Sequence, residues 1–361
     1  MLSIFLKSII LISAFGIGTA NQLRKIQRTH TPQRLTNGDI KQLAALSNVT
    51  HLNQAIDNIL IPRVVGTKNH EKVFKYISSE LENLGWDVEV DEFQEDTPNF
   101  GRLTFKNIIG SLNPDADRFL VLACHYDSKY FANQVFVGAI DSAVPCAMLL
   151  NLAKVLKPHL DSIKSNDNLS LKLVFFDGEE AFESWGPKDS IYGARHLAGE
   201  MHKKRGLTRT TGEQVSDLQK IDMLVLLDLI GHRNVNFFNY FADTSGWFSR
   251  LAGAEDRLEK LRLLNPRDTK YFIRRDFFTG NIEDDHLPFL RRNVPILHLI
   301  PIPFPKEWHT PNDDRNIIDI KTVENLNMIL RIFLAEYLHF QFRAFEIKAI
   351  KSRRVTATLY K

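Results

Sequence analysis

Between Arg118 and Pro301 the chain carries short apolar runs with no polar face, in RFLVLAC, LKLVFF, IDMLVLLDLI and VPILHLI. A strand with one wet face alternates apolar and polar residues, whereas a strand that is apolar at every position must be covered on both sides. Segments of helical spacing such as AVPCAMLLNLAKVLK separate the runs. Strands alternating with helices imply right-handed crossovers and a doubly wound sheet. The expected fold class is therefore α/β: one globular domain with a central, mostly parallel mixed sheet flanked by helices.

Upstream of these runs, WDVEVDEF alternates like a strand with one wet face and LTFKNIIGSL reads as another. IKQLAALSNVTHLNQAIDNIL has a helical pattern, and HEKVFKYISSELENLG is a helix that closes on a glycine stop signal. VENLNMILRIFLAEYLHFQF reads as a last helix packed on the sheet. With 361 residues, no internal repeat and no low-complexity linker, one domain is the economical reading, and such a length buries a full core without staples.

The first 20 residues combine one early lysine, an apolar run from Ser8 to roughly Gly18 and small residues ending at Ala20, the pattern of a secretory signal peptide. A membrane anchor is the alternative, but the run is shorter than the roughly 20 residues a spanning helix needs, so no stable membrane association is expected. The organisation read from the sequence is a signal peptide over 1–20, a polar segment over 21–39, a catalytic α/β domain over 40–341 and a basic tail over 342–361. Asn48 in NVT and Asn168 in NLS are glycosylation acceptors in a secretory compartment. The two cysteines, Cys124 in an apolar strand and Cys146 in an apolar helix, are a disulfide candidate there, with a reactive thiol as the alternative. A formal net charge of +3 is too small to argue for nucleic acid, and the basic tail reads as a solvated end.

In an open α/β sheet, ligands bind beyond the carboxyl ends of the strands. Directly behind the apolar runs stand His125, Tyr126 and Asp127; then Asp177, Glu179 and Glu180 in FFDGEE; then Asp228; and His309 beyond LHLIP. Asp141 in GAIDSAVP and the run Glu283, Asp284, Asp285 and His286 lie nearby. Singly, each has a structural explanation as a turn former, helix cap or buried histidine. Together, so many ionisable groups at one sheet edge would repel without a cation. One His with Asp and Glu from different strand ends suits a catalytic zinc, which takes three protein ligands and leaves a fourth position open. Of two adjacent glutamates, one can ligate while the other stays free as a general base. No HEXXH helix is present.

The blocks LACHYDSKYF, GAIDSAVPCAMLL, FFDGEEAFESWGPKDSIYGARHLA, LLDLIG, EDDHLPFLRRNVPILHLIP and FPKEWHTPND, spread from about Phe105 to Asp314, resemble the glutaminyl-peptide cyclotransferases, or glutaminyl cyclases. The resemblance implies a zinc-aminopeptidase-like fold and one zinc per chain, with Asp141, Glu180 and His309 as ligands. It implies Glu179 as general acid/base, with Asp228 and Asp284 supporting proton transfer. Trp185, Phe304 and Trp308 would wall the substrate side chain, and Cys124 and Cys146 match the family's disulfide pair. The implied reaction is cyclisation of N-terminal glutamine, and more slowly glutamate, of peptides and proteins to pyroglutamate with release of ammonia, without an organic cofactor. A secreted monomer is expected. The segment after WHT and the tail after Gln341 depart from the family pattern.

Two other readings are open at this point. A secreted two-zinc aminopeptidase would use His125 and Asp228 for a second metal, although SAVPCA stands where those peptidases usually have a small, glycine-containing turn. A secreted binding protein could keep the fold without the activity, against which stands the retention of every proposed ligand and both glutamates.

Overall fold

A computed structural model of the chain describes residues 22–274, 280 and 282–342. The expected signal peptide and all but the first residue of the basic tail lie outside the described residues.

Helices α1 (Gln22–Arg28), α2 (Asn37–Ala44), α3 (Val49–Ile59) and α4 (Lys68–Asn83) lead into strands β1 (Asp87–Thr97), β2 (Gly101–Ser111) and β3 (Arg118–His125). Helices α5 (Val144–Val155) and α6 (Lys157–Ile163) connect β3 to β4 (Leu169–Phe176), and α7 (Tyr192–Lys203) comes after it. After the short pair β5 (Arg205–Leu207) and β6 (Gln214–Ser216) come β7 (Ile221–Leu227), α8 (Ser245–Lys260), α9 (Leu287–Leu290), β8 (Ile296–Leu299) and α10 (Ile320–Leu338). The main sheet runs β1-β2-β4-β3-β7-β8. Strands β4, β3, β7 and β8 are parallel, and β1 and β2 add antiparallel pairs at one edge.

Alternate residues of the central strands feed two cores, which is why their sequences have no polar face. Leu120, Leu122 and Cys124 of β3 join a core with Leu149 of α5 and Phe333 of α10. Phe119, Val121 and Ala123 turn the other way, toward Leu197 of α7 and Phe289 of α9. The chain leaves β3 for β4 on one side and later returns to β7 on the other. This reversal at the carboxyl end of β3 is where a ligand crevice opens in such sheets.

Two segments differ from the sequence expectation. The single helical pattern from Ile40 to Leu60 is broken into α2 and α3, because Asn48 accepts from the His51 amide at 3.0 Å and so starts a new helix. The polar segment 21–39 holds α1, anchored by the Leu23 amide donating to Glu213 at 2.7 Å. One buried apolar residue, Leu23, leaves no periodicity to read. The glycine stop of α4 is as expected, with Gly85 at φ 85°.

Candidate active site

The twin glutamates sit on a turn held from both sides. Gly178 takes φ 66°, a left-handed value that favours glycine. The first amides of α7 close on the turn: Ile191, Tyr192 and Gly193 donate to the carbonyls of Glu179, Gly178 and Asp177 at 2.8, 2.7 and 2.9 Å. From the other side Asp127 accepts the amides of Glu179 and Glu180 at 3.1 and 3.2 Å. With the backbone fixed, adjacent side chains reach different neighbours. Asp141 comes from a wide turn over Ala139–Ala143 ahead of α5, where its own backbone and that of Ser142 leave helical geometry. Arg63 underlies that turn, its guanidinium donating to the carbonyls of Tyr126, Val137, Gly138 and Asp141.

Asp141, Glu180 and His309 meet. His309 Nε2 lies 3.4 Å from Asp141 Oδ2 and 3.4 Å from Glu180 Oε1. Both of those carboxylate oxygens are buried without a hydrogen-bond partner. Buried polar groups without partners are costly, so two orphaned oxygens beside one imidazole nitrogen fit a cation held between them. Burial pulls the His309 imidazole down, but the two carboxylates outweigh it and push it up to about 9. The site thus attracts positive charge. Lys129 Nζ holds the other Glu180 oxygen, Oε2, at 3.2 Å.

Two more groupings of potential ligands occur among the described residues: His125 with Asp141 and Asp228, and Asp284 with His286 and His298. In each, one histidine is paired with a carboxylate, while His286 Nδ1 is buried without a hydrogen-bond partner. His125 lies 3.3 Å from Asp127, 3.0 Å from Asp141 Oδ1 and 3.5 Å from Asp228. Burial works against its protonation, but these three acids push its pKa well up. Asp284 Oδ2 accepts from His298 at 2.7 Å and its Oδ1 from the Asp285 amide at 2.6 Å.

Glu179 is 7% exposed, and burial raises its pKa well above the carboxylate range, reinforced by Glu180, Asp284 and Asp285 against the pull of His125. Asp228 accepts from Ser142 Oγ at 2.9 Å, and burial pushes it up to about 6, with Asp284 and Asp141 adding to it and His125 opposing. Asp284 goes the other way: burial would raise it, but the His298 bond holds it below the usual range. Carboxyl groups whose environments push their proton affinities apart mark acid/base roles.

Two of the aromatic residues expected around the substrate pack beside His309. Trp308 stacks on His309 at 4.0 Å between ring centroids, and Phe304 meets Trp308 edge-on at 5.0 Å. Trp185 Nε1 donates to Glu283 at 3.1 Å, which ties it to the segment carrying Asp284. Cys124 and Cys146, the expected disulfide pair, are juxtaposed, Sγ to Sγ 2.9 Å, and stand here as buried thiols.

Residues outside the expected set also shape the site. Asp127 is legible as a strand-end acid, yet its work, capping two amides, depends on a turn 52 residues away. Asp313 receives the Ile140 amide at 2.8 Å and so joins the His309 segment to the Asp141 turn. Asp285 is fully buried with both oxygens unpartnered, and burial keeps it protonated well above the usual range, with Asp284 adding to the effect.

Residues 107–334 match Peptidase family M28. The glutaminyl-peptide cyclotransferase of Drosophila melanogaster is 51% identical over 334 residues, covering 90% of this chain and 91% of that protein. The glutaminyl-peptide cyclotransferase of the snake Boiga dendrophila is 47% identical over 329 residues, 86% of this chain and 87% of the relative. The crystal structure of Macrostomum lignano glutaminyl cyclase superposes with a TM-score of 0.80 at 40% identity, over 87% of this chain and 98% of that one. Fold and relatives agree, and the chain belongs to the glutaminyl-peptide cyclotransferases, on the fold of Peptidase family M28.

Proposed function

We propose that this chain cyclises the N-terminal glutamine of peptides and proteins to pyroglutamate with release of ammonia, and acts more slowly on N-terminal glutamate. The observation that carries the reading is the pair of orphaned, buried oxygens of Asp141 and Glu180 around His309, with Glu179, whose proton affinity burial raises, on the same turn as Glu180.

Asp141, Glu180 and His309 would hold one zinc. When bound, such an ion polarises the γ-carbonyl of the substrate and stabilises its developing negative charge. The remaining work falls to the protein. The α-amine attacks its own side-chain carbonyl carbon, closing a five-membered ring, and the bond to the amide nitrogen breaks. Glu179 takes the proton lost by the attacking amine and gives it to the departing nitrogen, which leaves as ammonia. Asp284, kept anionic by His298, and Asp228, kept near half-protonation at mildly acidic pH, support those transfers. Trp185, Phe304 and Trp308 enclose the glutamine side chain and exclude water, and holding the two reacting groups in one conformer removes a large part of the barrier.

The wider setting belongs to the same proposal: cleavage of residues 1–20, secretion as a monomer, glycans on Asn48 and Asn168, and closure of Cys124 and Cys146 to a disulfide in that oxidising compartment. The grouping of His125, Asp141 and Asp228 favours a two-zinc aminopeptidase as the second reading, and the internal pairing of His125 counts against it.

The test is incubation with a Gln-initiated peptide with and without chelator, then mass spectrometry. Loss of one ammonia, prevented by the chelator, is expected; release of free amino acids would replace this reading with the peptidase. Glu179→Gln should keep the metal and lose turnover by at least about a hundredfold, whereas Glu180→Gln should lose the metal itself.

A further inference from the structure

The three candidate ligands stand on three separate segments, so an ion can be held only if those segments keep a fixed spacing. Glu180 is secured by the turn described above, its amide donating to Asp127 at 3.2 Å. Asp141 and His309 both lie outside regular structure. Asp141, at φ −116° and ψ 73°, leaves helical geometry within the turn Ala139–Ala143. His309 takes φ 55°, uncommon for a residue with a side chain, in a run of tight turns between β8 and α10. There the amides of Trp308, Thr310 and Asp313 donate to the carbonyls of Pro305, Glu307 and Thr310 at 3.1, 3.0 and 3.0 Å.

Asp313 joins these two loops twice over. Its main-chain carbonyl accepts the Ala139 amide at 3.1 Å, and its Oδ1 accepts the Ile140 amide at 2.8 Å. Those are the two amides immediately before Asp141, and Asp313 follows His309 by four residues. The turn has little slack to absorb a shift at that point. A Cβ on Gly138, which sits at φ 51°, would overlap the Asp141 carbonyl oxygen, so a displacement at Ala139 and Ile140 passes on to Asp141.

A carboxylate is a costly side chain for a place that needs only filling. Asp313 is fully buried and its second oxygen, Oδ2, has no hydrogen-bond partner, and burial of an unpartnered polar atom is unfavourable. An apolar side chain would fill the same space without that cost. What it could not do is hold the Ile140 amide, and with it the direction in which the Asp141 side chain leaves the turn.

We infer that Asp313 is a positioning residue for the metal: by clasping the Asp141 turn to the His309 loop, it keeps Asp141 Oδ2 and His309 Nε2 at the 3.4 Å spacing seen here and so sets the affinity of the site. The inference rests on the reading of Asp141, Glu180 and His309 as the ligands. Ligands already in place lose less freedom on binding, and groups that orient them from behind are worth about ten- to a hundredfold in metal affinity. Asp313 is not among the grouped ligands. Its loss should therefore appear in zinc binding and not in the chemical step of the loaded enzyme.

The test is the zinc dissociation constant of the full chain, measured by competition with a chromophoric chelator. Asp313→Ala should raise it by at least about tenfold. Two conservative variants separate geometry from charge. Asp313→Asn keeps an oxygen in place for the Ile140 amide and should stay within about threefold of the parent, whereas Asp313→Glu keeps the charge but misplaces the acceptor and should weaken binding by about fivefold or more. This pair decides the matter even if the alanine variant does not fold. With zinc in excess, kcat for a Gln-initiated peptide should stay within about threefold of the parent in every variant that folds. Urea melts of the metal-free proteins report stability separately. A lowered midpoint with an unchanged zinc constant in Asp313→Ala and Asp313→Glu would make Asp313 a purely structural residue and overturn the inference. So would the reverse order, with Glu like the parent and Asn weakened, since charge and not the clasp would then be at work. Glu180→Gln is the control: zinc binding unchanged in that variant would overturn the ligand assignment itself, whereas its loss there, with Asp313→Glu unaffected, overturns the clasp alone.

Discussion

Arg63 is the residue on which the Asp141 turn rests. It is fully buried, and the partners of its guanidinium among the described residues are main-chain carbonyls, at 2.7 Å from Tyr126, 3.1 Å from Gly138, 3.3 Å from Asp141 and 3.4 Å from Ile61, together with that of Val137. Its charge also stands among the buried acids Asp127, Asp141 and Asp313. Removing it would leave several buried carbonyls unpaired, at about 1–3 kcal/mol each. Arg63→Ala should therefore lower the unfolding free energy by about 3 kcal/mol or more. Arg63→Lys should recover only part of this, because an ammonium cannot reproduce the planar fork. Denaturant melts check both, and metal content should fall in parallel with stability. None of this is legible in the sequence: IPRVVG carries no signal that its arginine turns inward, because four of its five carbonyl partners lie 63 to 78 positions away. The twin glutamates are legible, since a strand end fixes where they stand.

At the scale of elements, the docking of α7 on the sheet sets the DGEE turn. A Cβ on Gly193 would overlap Asn107 Oδ1 and the Asp177 carbonyl, so only glycine lets the first turn of the helix approach β2 and β4 this closely. Gly193→Ala should push α7 outward, costing about 1–3 kcal/mol as overpacking does and lowering turnover, because the amides that hold Glu179 and Asp177 move with it. Thermal melts and ammonia release read the two effects. Helix α9 begins at a second sensitive point. His286 is buried against His298 at 4.5 Å, and burial, then the His298 charge, lowers its pKa to about 3. Unfolded, it would titrate near about 6.5. Below that pH the unfolded chain takes up a proton that the folded chain refuses. Stability should then fall from about pH 6.5 toward about 3 by about 1.4 kcal/mol per unit from this group, and be unaffected by it above that range. His286→Phe should flatten that limb by one proton; an unchanged slope in urea melts between about pH 4 and 6 would refute the assignment. The length of α7 and its docking glycine are not readable from spacing, whereas Phe248, Leu251, Ala252 and Leu258 of α8 do keep helical spacing.

For the molecule as a whole, the open issue with a number attached is the metal count. His125 lies 3.3, 3.0 and 3.5 Å from Asp127, Asp141 and Asp228, while Asp141 Oδ2 and Glu180 Oε1 beside His309 have no hydrogen-bond partner. Elemental analysis of the purified enzyme should find one zinc per chain, and two per chain would reopen the peptidase reading. Because metal binds the folded state and not the unfolded one, saturating zinc should raise the melting midpoint, by about 2.7 kcal/mol of stability at a hundredfold excess over Kd, and Asp141→Asn should abolish that rise. By itself the sequence determined the sheet and its two covering layers, since runs apolar at every position have no other stable placement. It also determined which residues stand at strand ends, and long motif blocks carried the family. Tertiary structure decided what those residues do to one another. Whether a carboxylate is orphaned like Glu180 Oε1, paired like Asp284 or raised in proton affinity like Asp285 depends on groups brought together from distant parts of the chain. Proton affinity is set by burial and neighbours, neither of which is a property of local sequence.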